Sequence, residues 1–366
     1  MKILFVNYDL EIGGIQKSLV NLLKKMVKEN PDYEIDLLLF SREGDYIKDI
    51  PKNVKISNAN KWLELSVKSF VYLKKHGSFG DMAKKVLSGI LLKLLGHHRF
   101  YSLIIGKSKT YKGYDKAIAY SQDAYSVMFS KGVNLFVLNR VEAKEKQAYL
   151  HADVSREIID FKHMESIYSR FDKIITVSRA CMNILNEKIP SLQSKTTYSY
   201  NVFDKEELEE LAKEFIPFDK KAEIKYFVTI SRLSYAKGTD RILNITESMV
   251  NNDVKNFKWI VVGEGLHEYG SENLNKQLKG KGLSEHLCFV GNHKNPYPFV
   301  KHCDIFVLPS RAEASPMVIM EAILLGIPII TCHYSTAEET MVGTNNIIVE
   351  NNEEALREEL LKQLIE

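Results

Sequence analysis

Residues 309–328 read P-S-R-A-E-A-S-P-M-V-I-M-E-A-I-L-L-G-I-P. The apolar run 305–308 in front of this stretch is typical of a buried strand, and residues 317–325 are typical of an apolar helix that the following Gly-Ile-Pro ends. Glu313 lies in the connecting loop and Glu321 in the helix. A glutamate in an apolar helix turns to solvent, bonds a buried partner or binds a ligand, because unpaired carboxylates are rarely buried. Ligands of open α/β sheets bind where such loops leave the strands, which favours a pair of acceptors for ligand hydroxyl groups.

This stretch resembles the E-x7-E signature of the retaining glycosyltransferases of family 4, which have the GT-B fold. The resemblance implies an α/β chain of two Rossmann-like, doubly wound domains that face a central cleft. It also implies that Glu313 contacts hydroxyl groups of the donor sugar and that Glu321 holds the ribose of the nucleotide. Backbone amides between the two would approach the sugar and the phosphates, which assigns donor binding to Ser315, Pro316, Met317 and Val318.

The chain is long enough for two domains. Its 366 residues exceed one ordinary core, and its hydrophobic fraction of 45% is that of a globular protein. The resemblance implies that residues 1–204 are an acceptor-binding domain, with a basic helical insertion over 61–112. The charged segment 205–223, which contains Pro217, predicts a linker. Residues 224–366 would form the nucleotide-sugar-binding domain.

The N-terminal domain opens as a strand, a glycine turn and a helix. A strand over 2–10 precedes Gly13 and Gly14, and an amphipathic helix follows over residues 15–28. Helix N-terminal amides after such a turn can hold a phosphate, although a tight turn alone would also need glycine. The pattern is not G-x-G-x-x-G, which argues against a dinucleotide site. The family has a glycine-rich loop here, against the donor diphosphate and the acceptor, so the resemblance implies donor binding by Gly14.

A histidine follows the middle of this domain. Strands are predicted over 115–121 and 135–139, with a polar loop over 140–153 and a helix that Asp153 caps. A lone histidine is more often structural than catalytic. The string L-H-A-D that contains His151, however, resembles the family's N-domain histidine, which sits beside the anomeric carbon and the donor sugar. The resemblance therefore makes His151 a candidate catalytic residue, together with Glu313.

The second domain opens with a strand over 224–231 that leads into the string R-L-S-Y-A-K-G. A strand that delivers an arginine and a lysine to a helix N-terminus makes a diphosphate clamp, whereas the plainer alternative is surface charge on a loop. The string closely matches the family motif in which the two cations hold the donor diphosphate, so Arg232 and Lys237 are predicted donor ligands. Gly263 ends the next strand, in a G-E-G string that resembles the family's G-x-G for nucleotide approach.

The net charge of +3 conceals an asymmetry. Residues 61–112 contain eleven Lys or Arg and two acidic residues, a net +9, whereas residues 223–366 contain fourteen and nineteen, a net −5. Within the basic segment, a helical stripe is formed by the apolar residues at 83, 86, 87, 90, 91 and 94. The stripe either packs a surface helix onto the sheet or, with its lysines, contacts an anionic membrane surface.

Several classes of protein are disfavoured. The four cysteines lie far apart without a C-x-x-C pair, which argues against a zinc knuckle or a redox motif. We find no secretory signal and no run of about 20 apolar residues, which predicts a cytoplasmic protein, at most peripheral on the inner face of the cell membrane. The sequence has no D-x-D motif, so we expect neither a metal nor a cofactor.

The function that the resemblance implies is transfer of a hexose or N-acetylhexosamine from a nucleotide sugar, with retention at the anomeric carbon. UDP is the expected nucleotide, and the expected acceptor is a saccharide or a polyprenyl-diphosphate-linked saccharide in surface polysaccharide synthesis. The alternatives are a nucleotide-sugar epimerase, a CDP-dependent polyol-phosphate transferase, and a non-catalytic nucleotide-sugar-binding or scaffold protein. Nucleic-acid binding is not expected, because the basic segment lacks an interleaved aromatic platform.

Overall fold

The computed structural model describes residues 1–123, 131–155, 160–341 and 346–365. The chain divides into two compact units, Met1–Val202 and Phe203–Glu366. Among the helices of these described residues, none is long and apolar enough to cross a membrane.

The N-terminal unit is built on a seven-stranded sheet in the order β3-β2-β1-β4-β5-β6-β7, and every pairing in it is parallel. Its strands are β1 (Lys2–Asn7), β2 (Glu34–Leu39), β3 (Lys55–Asn58), β4 (Tyr111–Ala119), β5 (Val141–Leu150), β6 (Lys173–Thr176) and β7 (Thr196–Tyr198). Its helices are α1 (Gly14–Glu29), α2 (Lys61–Val67), α3 (Phe70–His76), α4 (Phe79–Gly106), α5 (Val133–Arg140), α6 (Phe161–Tyr168) and α7 (Arg179–Lys188). A chain that starts mid-sheet and winds outward in both directions makes a doubly wound Rossmann-like domain.

The first strand shows why the sheet is covered on both faces. In β1, Leu4 and Val6 join one hydrophobic core, while Ile3 and Phe5 join the other. A strand with apolar side chains on both faces can only be buried in a sheet that has helices on each side, as parallel sheets do. Strand β1 is therefore central, and residues 8–12 connect its carboxyl end to the Gly13-Gly14 turn.

The C-terminal unit repeats this architecture with six parallel strands in the order β10-β9-β8-β11-β12-β13. Its strands are β8 (Lys225–Ile230), β9 (Phe257–Val262), β10 (Leu287–Phe289), β11 (Ile305–Leu308), β12 (Ile329–Cys332) and β13 (Ile347–Val349). Its helices are α8 (Lys205–Leu211), α9 (Thr239–Asn251), α10 (Ser271–Gly280), α11 (Tyr297–His302), α12 (Met317–Leu324), α13 (Ala337–Thr340) and α14 (Glu353–Gln363). The prediction of two Rossmann-like α/β domains is confirmed.

One segment of the N-terminal unit differs from its prediction. Residues 135–139, predicted as a strand, lie in helix α5, and the segment 140–153, predicted as a loop, contains strand β5. The apolar run L-F-V-L is too short for its periodicity to separate a helix from a strand. The start of β5 is charged, so its sequence resembles a polar loop. The strand can carry these charges because they are paired across the sheet: Lys144 lies 2.7 Å from Asp115, and Glu145 lies 3.4 Å from Lys116.

The predicted helix start at Asp153 also differs. The Asp153 carboxylate accepts a hydrogen bond of 2.9 Å from the amide of Ser155, a local turn. Residues 156–159, where the predicted helix would begin, lie outside the described residues. The helix that follows, α6, starts at Phe161 and is capped instead by Asp160, whose side chain accepts from the amide of His163.

The segment 205–223, predicted as a linker, begins with a helix of the C-terminal unit. Asp204 caps α8 by accepting from the amide of Glu207 at 3.1 Å. Leu208 and Ala212 are buried in one core of the C-terminal sheet, where α8 packs against α11 and α12. The two units divide between residues 202 and 203, close to the predicted end of the N-terminal domain at 204, and the start of the predicted linker belongs to the C-terminal unit.

Helix α4 consists of two segments that meet at Gly96, whose φ of +74° interrupts the helix. The second segment buries Phe100, Tyr101, Ile104 and Ile105 in the N-terminal core. The first segment instead leaves most of the predicted apolar stripe exposed to solvent. The alternative in which this stripe packs onto the sheet is therefore wrong for all of its residues except Leu91, which lies against the N-terminal core.

Candidate active site

Two loops at the carboxyl edge of the C-terminal sheet bring Lys237 to Glu313. The 3-10 turn Tyr235–Lys237 follows β8, and Glu313 follows the neighbouring strand β11. Lys237 Nζ lies 2.6 Å from Glu313 Oε1, and Ser310 Oγ donates a hydrogen bond of 2.7 Å to the same oxygen. The Lys237 side chain is 20% exposed and the Glu313 side chain is 10% exposed, so a ligand can reach both. Two of the predicted donor ligands are thus in direct contact.

Arg311 fixes these two loops to each other. Its guanidinium donates two hydrogen bonds to the Asp240 carboxylate, at 2.8 and 2.6 Å, and lies 3.6 Å from the centre of the Tyr235 ring. Its backbone amide donates to the carbonyl of Ala236 at 2.9 Å. A bidentate arginine–carboxylate pair adds geometric precision to a contact, so Lys237 and Glu313 are held on a rigid frame.

A buried arginine that sequence reasoning missed supports the same edge. Arg241, in α9, is 6% exposed and donates to the carbonyl of Pro309 at 3.1 Å, to Asn351 Oδ1 at 2.8 Å and to the Asn351 carbonyl at 2.8 Å. These neutral acceptors satisfy the cation without a carboxylate partner. The sequence does contain a clue to Arg241: it lies four residues before Ile245, on the apolar face of α9. A cation on such a face must find hydrogen-bond acceptors inside the protein.

The backbone at position 263 leaves no room for a side chain, so glycine is required there. Its φ is +145°, and a Cβ atom built there would lie 1.8 Å from the carbonyl oxygen of Ser231. The close approach lets the chain after β9 continue beside the chain after β8, where the amide of Leu233 donates to the Glu264 carbonyl at 3.0 Å. Arg232 lies between these contacts and is exposed, beside the loop that carries Lys237.

Glu264 is turned back onto its own loop. Its carboxylate accepts from the amides of Gly265 and Ser271, at 3.1 and 2.7 Å, and from the Ser271 hydroxyl at 2.6 Å. Partial burial raises the pKa of this carboxyl, but the three hydrogen bonds outweigh that effect and leave its pKa below the usual range. The carboxylate therefore stabilises the G-E-G loop and the start of α10.

Glu321 is buried and has a phenolic partner. It is 5% exposed within α12, and the hydroxyl of Tyr297 in α11 donates a hydrogen bond of 2.9 Å to its Oε1. This is the paired state that a carboxylate in an apolar helix requires. The contact fixes the orientation of the side chain that the sequence predicts to hold the ribose.

The first backbone amides of α12 can donate hydrogen bonds to a ligand. Met317 and Val318 are the first two helical residues after the cap Pro316, and the first amides of a helix have no acceptor within it. The helix dipole adds positive potential at the same place. Ser315 and Pro316 stand at this entrance, so the predicted donor-binding backbone lies at a helix N-terminus suited to an anion.

In the N-terminal unit, the turn after β1 leads into a cluster of polar side chains. Gln16 Nε2 donates to Asp9 Oδ1 at 2.9 Å and to the Tyr8 hydroxyl at 3.1 Å. Burial raises the pKa of the Asp9 carboxyl. Gly14 opens α1, and a Cβ atom built on it would meet nothing within 4 Å. Unlike Gly263, Gly14 is therefore not required by the packing of the protein itself.

His151 follows β5 at the same carboxyl edge. Its ring stacks on Tyr149, with centroids 5.7 Å apart, and lies 4.8 Å from the Tyr120 ring. Burial lowers the pKa of the imidazole to about 4, although a hydrogen bond with the Tyr120 backbone opposes this effect. Within the described part of the chain, its buried Nε2 has no hydrogen-bond partner. The side chain is thus a neutral imidazole at neutral pH with one ring nitrogen left for a ligand.

Tyr120, beside this histidine, belongs to a network of polar side chains. The Tyr120 and Ser18 hydroxyls lie 2.6 Å apart, and Ser18 donates to Asn201 Oδ1 at 2.7 Å. Asn21 in α1 donates to the carbonyl of Val202 at 2.8 Å. Helix α1 is therefore joined to β4 and to the end of the N-terminal unit, which fixes the glycine turn relative to His151. Over the described ranges, no group of three or more His, Cys, Asp or Glu residues could hold a metal ion.

Comparison with known proteins finds a family match within the C-terminal unit. Residues 212–366 match the family described as glycosyl transferases group 1. An uncharacterized glycosyltransferase of Methanocaldococcus jannaschii is 28% identical over 174 residues, which are 46% of this chain and 41% of that protein. The O-antigen biosynthesis glycosyltransferase WclY of Escherichia coli is 34% identical over 73 residues, 20% of each chain. The matched segments thus span less than half the length of these relatives.

Solved structures extend the likeness to the whole chain. The crystal structure of Anabaena HepE in complex with UDP and glucose is 18% identical, with a TM-score of 0.66, and the match covers 100% of this chain and 90% of that one. The structure of WaaG, a glycosyltransferase involved in lipopolysaccharide biosynthesis, matches with 15% identity and a TM-score of 0.59, over 100% and 90% of the two chains. Residues 212–366 therefore resemble the group 1 glycosyl transferases, and the whole chain has the two-domain fold of the GT-B glycosyltransferases.

Proposed function

We propose that this protein is a retaining glycosyltransferase that moves a hexose or N-acetylhexosamine from a UDP-sugar to a saccharide or lipid-linked saccharide. The proposal places the reaction in surface polysaccharide synthesis, in the cytoplasm at the inner face of the cell membrane. The single observation that carries it is the Lys237–Glu313 contact at the carboxyl edge of the C-terminal sheet, where a cation and a hydroxyl acceptor stand side by side.

A sugar diphosphate needs both kinds of group at once. The diphosphate requires positive charge and amide donors, which Arg232, Lys237 and the start of α12 supply. The sugar requires acceptors for its hydroxyl groups, which Glu313 supplies, and the ribose requires a further acceptor, the role that we assign to Glu321. Gly263 would let the nucleotide approach the loop after β9.

The chemistry we propose uses positioning and charge rather than a metal ion. The bond between the anomeric carbon and the diphosphate oxygen breaks, and the departing UDP takes both electrons of that bond. Arg232 and Lys237 stabilise the negative charge that develops on it. The acceptor hydroxyl attacks the anomeric carbon from the same face, and its proton passes to the departing phosphate, so the configuration is retained.

The N-terminal unit would bind the acceptor. Among the residues that the structure describes, none bonds the buried Nε2 of His151, which supports a hydrogen bond to the reacting sugar, and the turn at Gly14 has open space in front of its backbone. Because the pKa of His151 is lowered, the neutral ring acts as a hydrogen-bond partner and not as a cation. The relative in O-antigen biosynthesis and the solved complex with UDP and glucose support the choice of polymer and of nucleotide.

Nucleotide binding is the first test. The melting temperature of the whole chain is measured with UDP, GDP, CDP and ADP and with their common sugars, with and without EDTA. A ligand that binds only the folded state at about a hundred times its dissociation constant adds about 2.7 kcal/mol to the free energy of unfolding. We expect stabilisation by UDP and by one UDP-sugar, unchanged by EDTA; stabilisation by another nucleotide alone would overturn the choice of UDP.

Turnover separates the alternatives. Incubation of that UDP-sugar with polyprenyl-diphosphate-linked saccharides should give a glycoside whose anomeric proton coupling matches that of the donor. An inverted coupling would overturn retention. An altered sugar nucleotide formed without acceptor would favour an epimerase, and donor binding without turnover on any acceptor would favour a non-catalytic binding protein.

A further inference from the structure

The first segment of α4 turns its apolar residues toward solvent. At about 100° per residue, they fall within an arc of about 100°; these residues, which we call the outward face, are Phe79, Ala83, Val86, Leu87, Ile90 and Leu94. Phe79 is 91% exposed and Leu94 is 75% exposed. The opposite side of the helix faces the protein: Leu91 and Leu92 pack against the N-terminal core, and Lys85 Nζ donates to two backbone carbonyls of the 61–68 segment, at 2.9 and 3.0 Å.

Exposed hydrophobic side chains are concentrated in the region of the outward face. Sixteen large hydrophobic side chains are exposed in the described residues, and seven of them lie between Phe70 and Leu103. Single exposed apolar residues need no explanation, whereas a contiguous patch marks a surface that meets a partner. The face is also held in place, because the second segment of α4 is buried in the N-terminal core beyond the break at Gly96.

The surroundings of this face are positive. The two acidic residues of the segment are already compensated: Glu64 lies 2.6 Å from Lys68 Nζ, and Asp81 lies 3.7 Å from Lys61 Nζ. Other cations of the segment are exposed and form no ion pair with described residues: Lys74, Lys75, Lys93 and Arg99. On the helix, Lys84 and Lys93 flank the outward face on its two sides, so an apolar strip lies between positive margins.

We propose that the outward face docks onto an anionic lipid bilayer, with its apolar side chains in the acyl boundary and the flanking lysines on the headgroups. This inference rests on the proposed function, in which the acceptor is attached to a lipid. Charge complementarity selects the partner, because a second copy of this chain would bring the same positive margins against themselves. Docking through α4 keeps the N-terminal unit, which binds the acceptor, at the membrane surface.

The test is co-sedimentation of the whole chain with vesicles of phosphatidylcholine, with and without phosphatidylglycerol. We expect binding to the anionic vesicles that weakens as salt is raised. Lys84→Gln with Lys93→Gln should lower the affinity about 25-fold, at about fivefold for each lysine. Ile90→Ser with Leu94→Ser should lower it by about tenfold or more for each residue. These side chains are exposed, so the variants should fold normally.

Matched controls make the outcome decisive. Ile216→Ser removes an apolar residue of the C-terminal unit that is 74% exposed, and Lys276→Gln with Lys279→Gln removes two exposed lysines of α10; none of these should alter vesicle binding. Equal binding to neutral and anionic vesicles, or no effect of the α4 variants, would overturn the proposal. So would a dimer in solution that Ile90→Ser with Leu94→Ser converts to a monomer without loss of vesicle binding. If UDP still binds while vesicle binding fails, the docking inference alone is lost; if UDP does not bind, the proposed function fails instead.

Discussion

Lys237 Nζ and Glu313 Oε1 lie 2.6 Å apart, in loops that follow two adjacent strands of the C-terminal sheet. In the proposed reaction, the lysine holds the diphosphate and the glutamate holds the sugar of the same donor. The ion pair orients both side chains before the donor arrives, so little rearrangement is needed on binding. It also means that removing either partner changes the charge of the other's surroundings.

Glu313→Gln should separate binding from chemistry. The amide keeps the size of the side chain but loses the charge that strengthens hydrogen bonds to sugar hydroxyl groups, a difference of about 10- to 100-fold in a charge-assisted bond. We expect kcat to fall by about that factor while the affinity for UDP alone stays close to that of the wild type. Steady-state kinetics with calorimetry of UDP measure the two quantities, and an unchanged kcat would contradict the assignment of Glu313.

Tyr297→Phe tests a residue that acts through another. The Tyr297 hydroxyl fixes Glu321, to which we assign the ribose, so loss of this hydroxyl should weaken binding of UDP by about fivefold. Binding of 2′,3′-dideoxy-UDP, which lacks the ribose hydroxyl groups, should be the same in the variant and in the wild type. Equal losses for both nucleotides would indicate a general structural defect.

Glu321→Gln is the companion variant, and it should weaken UDP more than Tyr297→Phe does. If the wild type binds UDP and the dideoxy nucleotide equally well, the ribose assignment itself is wrong. If Glu321→Gln weakens UDP binding but Tyr297→Phe binds UDP as the wild type does, Glu321 keeps its assigned role. Positioning of Glu321 by Tyr297 is then excluded.

The sequence predicted local motifs better than the contacts between them. The strand, the loop with Glu313 and helix α12 follow from the pattern of residues 305–325, because apolar runs, proline and glycine act locally. The bond between Tyr297 and Glu321 could not be predicted, since it joins two helices whose packing is set by the whole sheet. The outward direction of the α4 stripe could not be predicted either, because periodicity shows that a face exists and not what it contacts.

Gly14→Ala and Gly263→Ala should differ in kind. A Cβ at Gly14 meets nothing within 4 Å, and alanine favours the first turn of a helix, so Gly14→Ala should leave the melting temperature unchanged or raise it. If the donor or acceptor approaches this backbone, the same variant should lose affinity or activity. Normal activity in a stable Gly14→Ala protein would contradict the ligand-binding role of Gly14.

At Gly263, by contrast, alanine should lower both stability and UDP binding, because its φ of +145° and the contact with the Ser231 carbonyl leave no room. Thermal denaturation with and without UDP measures both effects. Gly280→Ala, at the end of α10 where a Cβ meets nothing within 4 Å, is the matched control and should be neutral or slightly stabilising. A Gly263→Ala protein as stable as the wild type would contradict the close approach.

His151 should give the protein a specific loss of stability in acid. Burial lowers the pKa of its imidazole to about 4 in the folded protein, whereas the unfolded chain has the ordinary value of 6.5. Between these two values the unfolded state binds more protons, so the free energy of unfolding falls as the pH drops from about 6.5 towards 4 and is unaffected above that range. The full effect is at most about 3 kcal/mol.

Urea denaturation across this pH range should show a steeper loss of stability for the wild type than for His151→Gln. The control variant His98→Gln, which replaces an exposed histidine, should follow the wild type. Parallel curves for the wild type and His151→Gln would mean that the imidazole keeps its ordinary pKa in the folded protein, and the lowering of its pKa by burial would then be excluded.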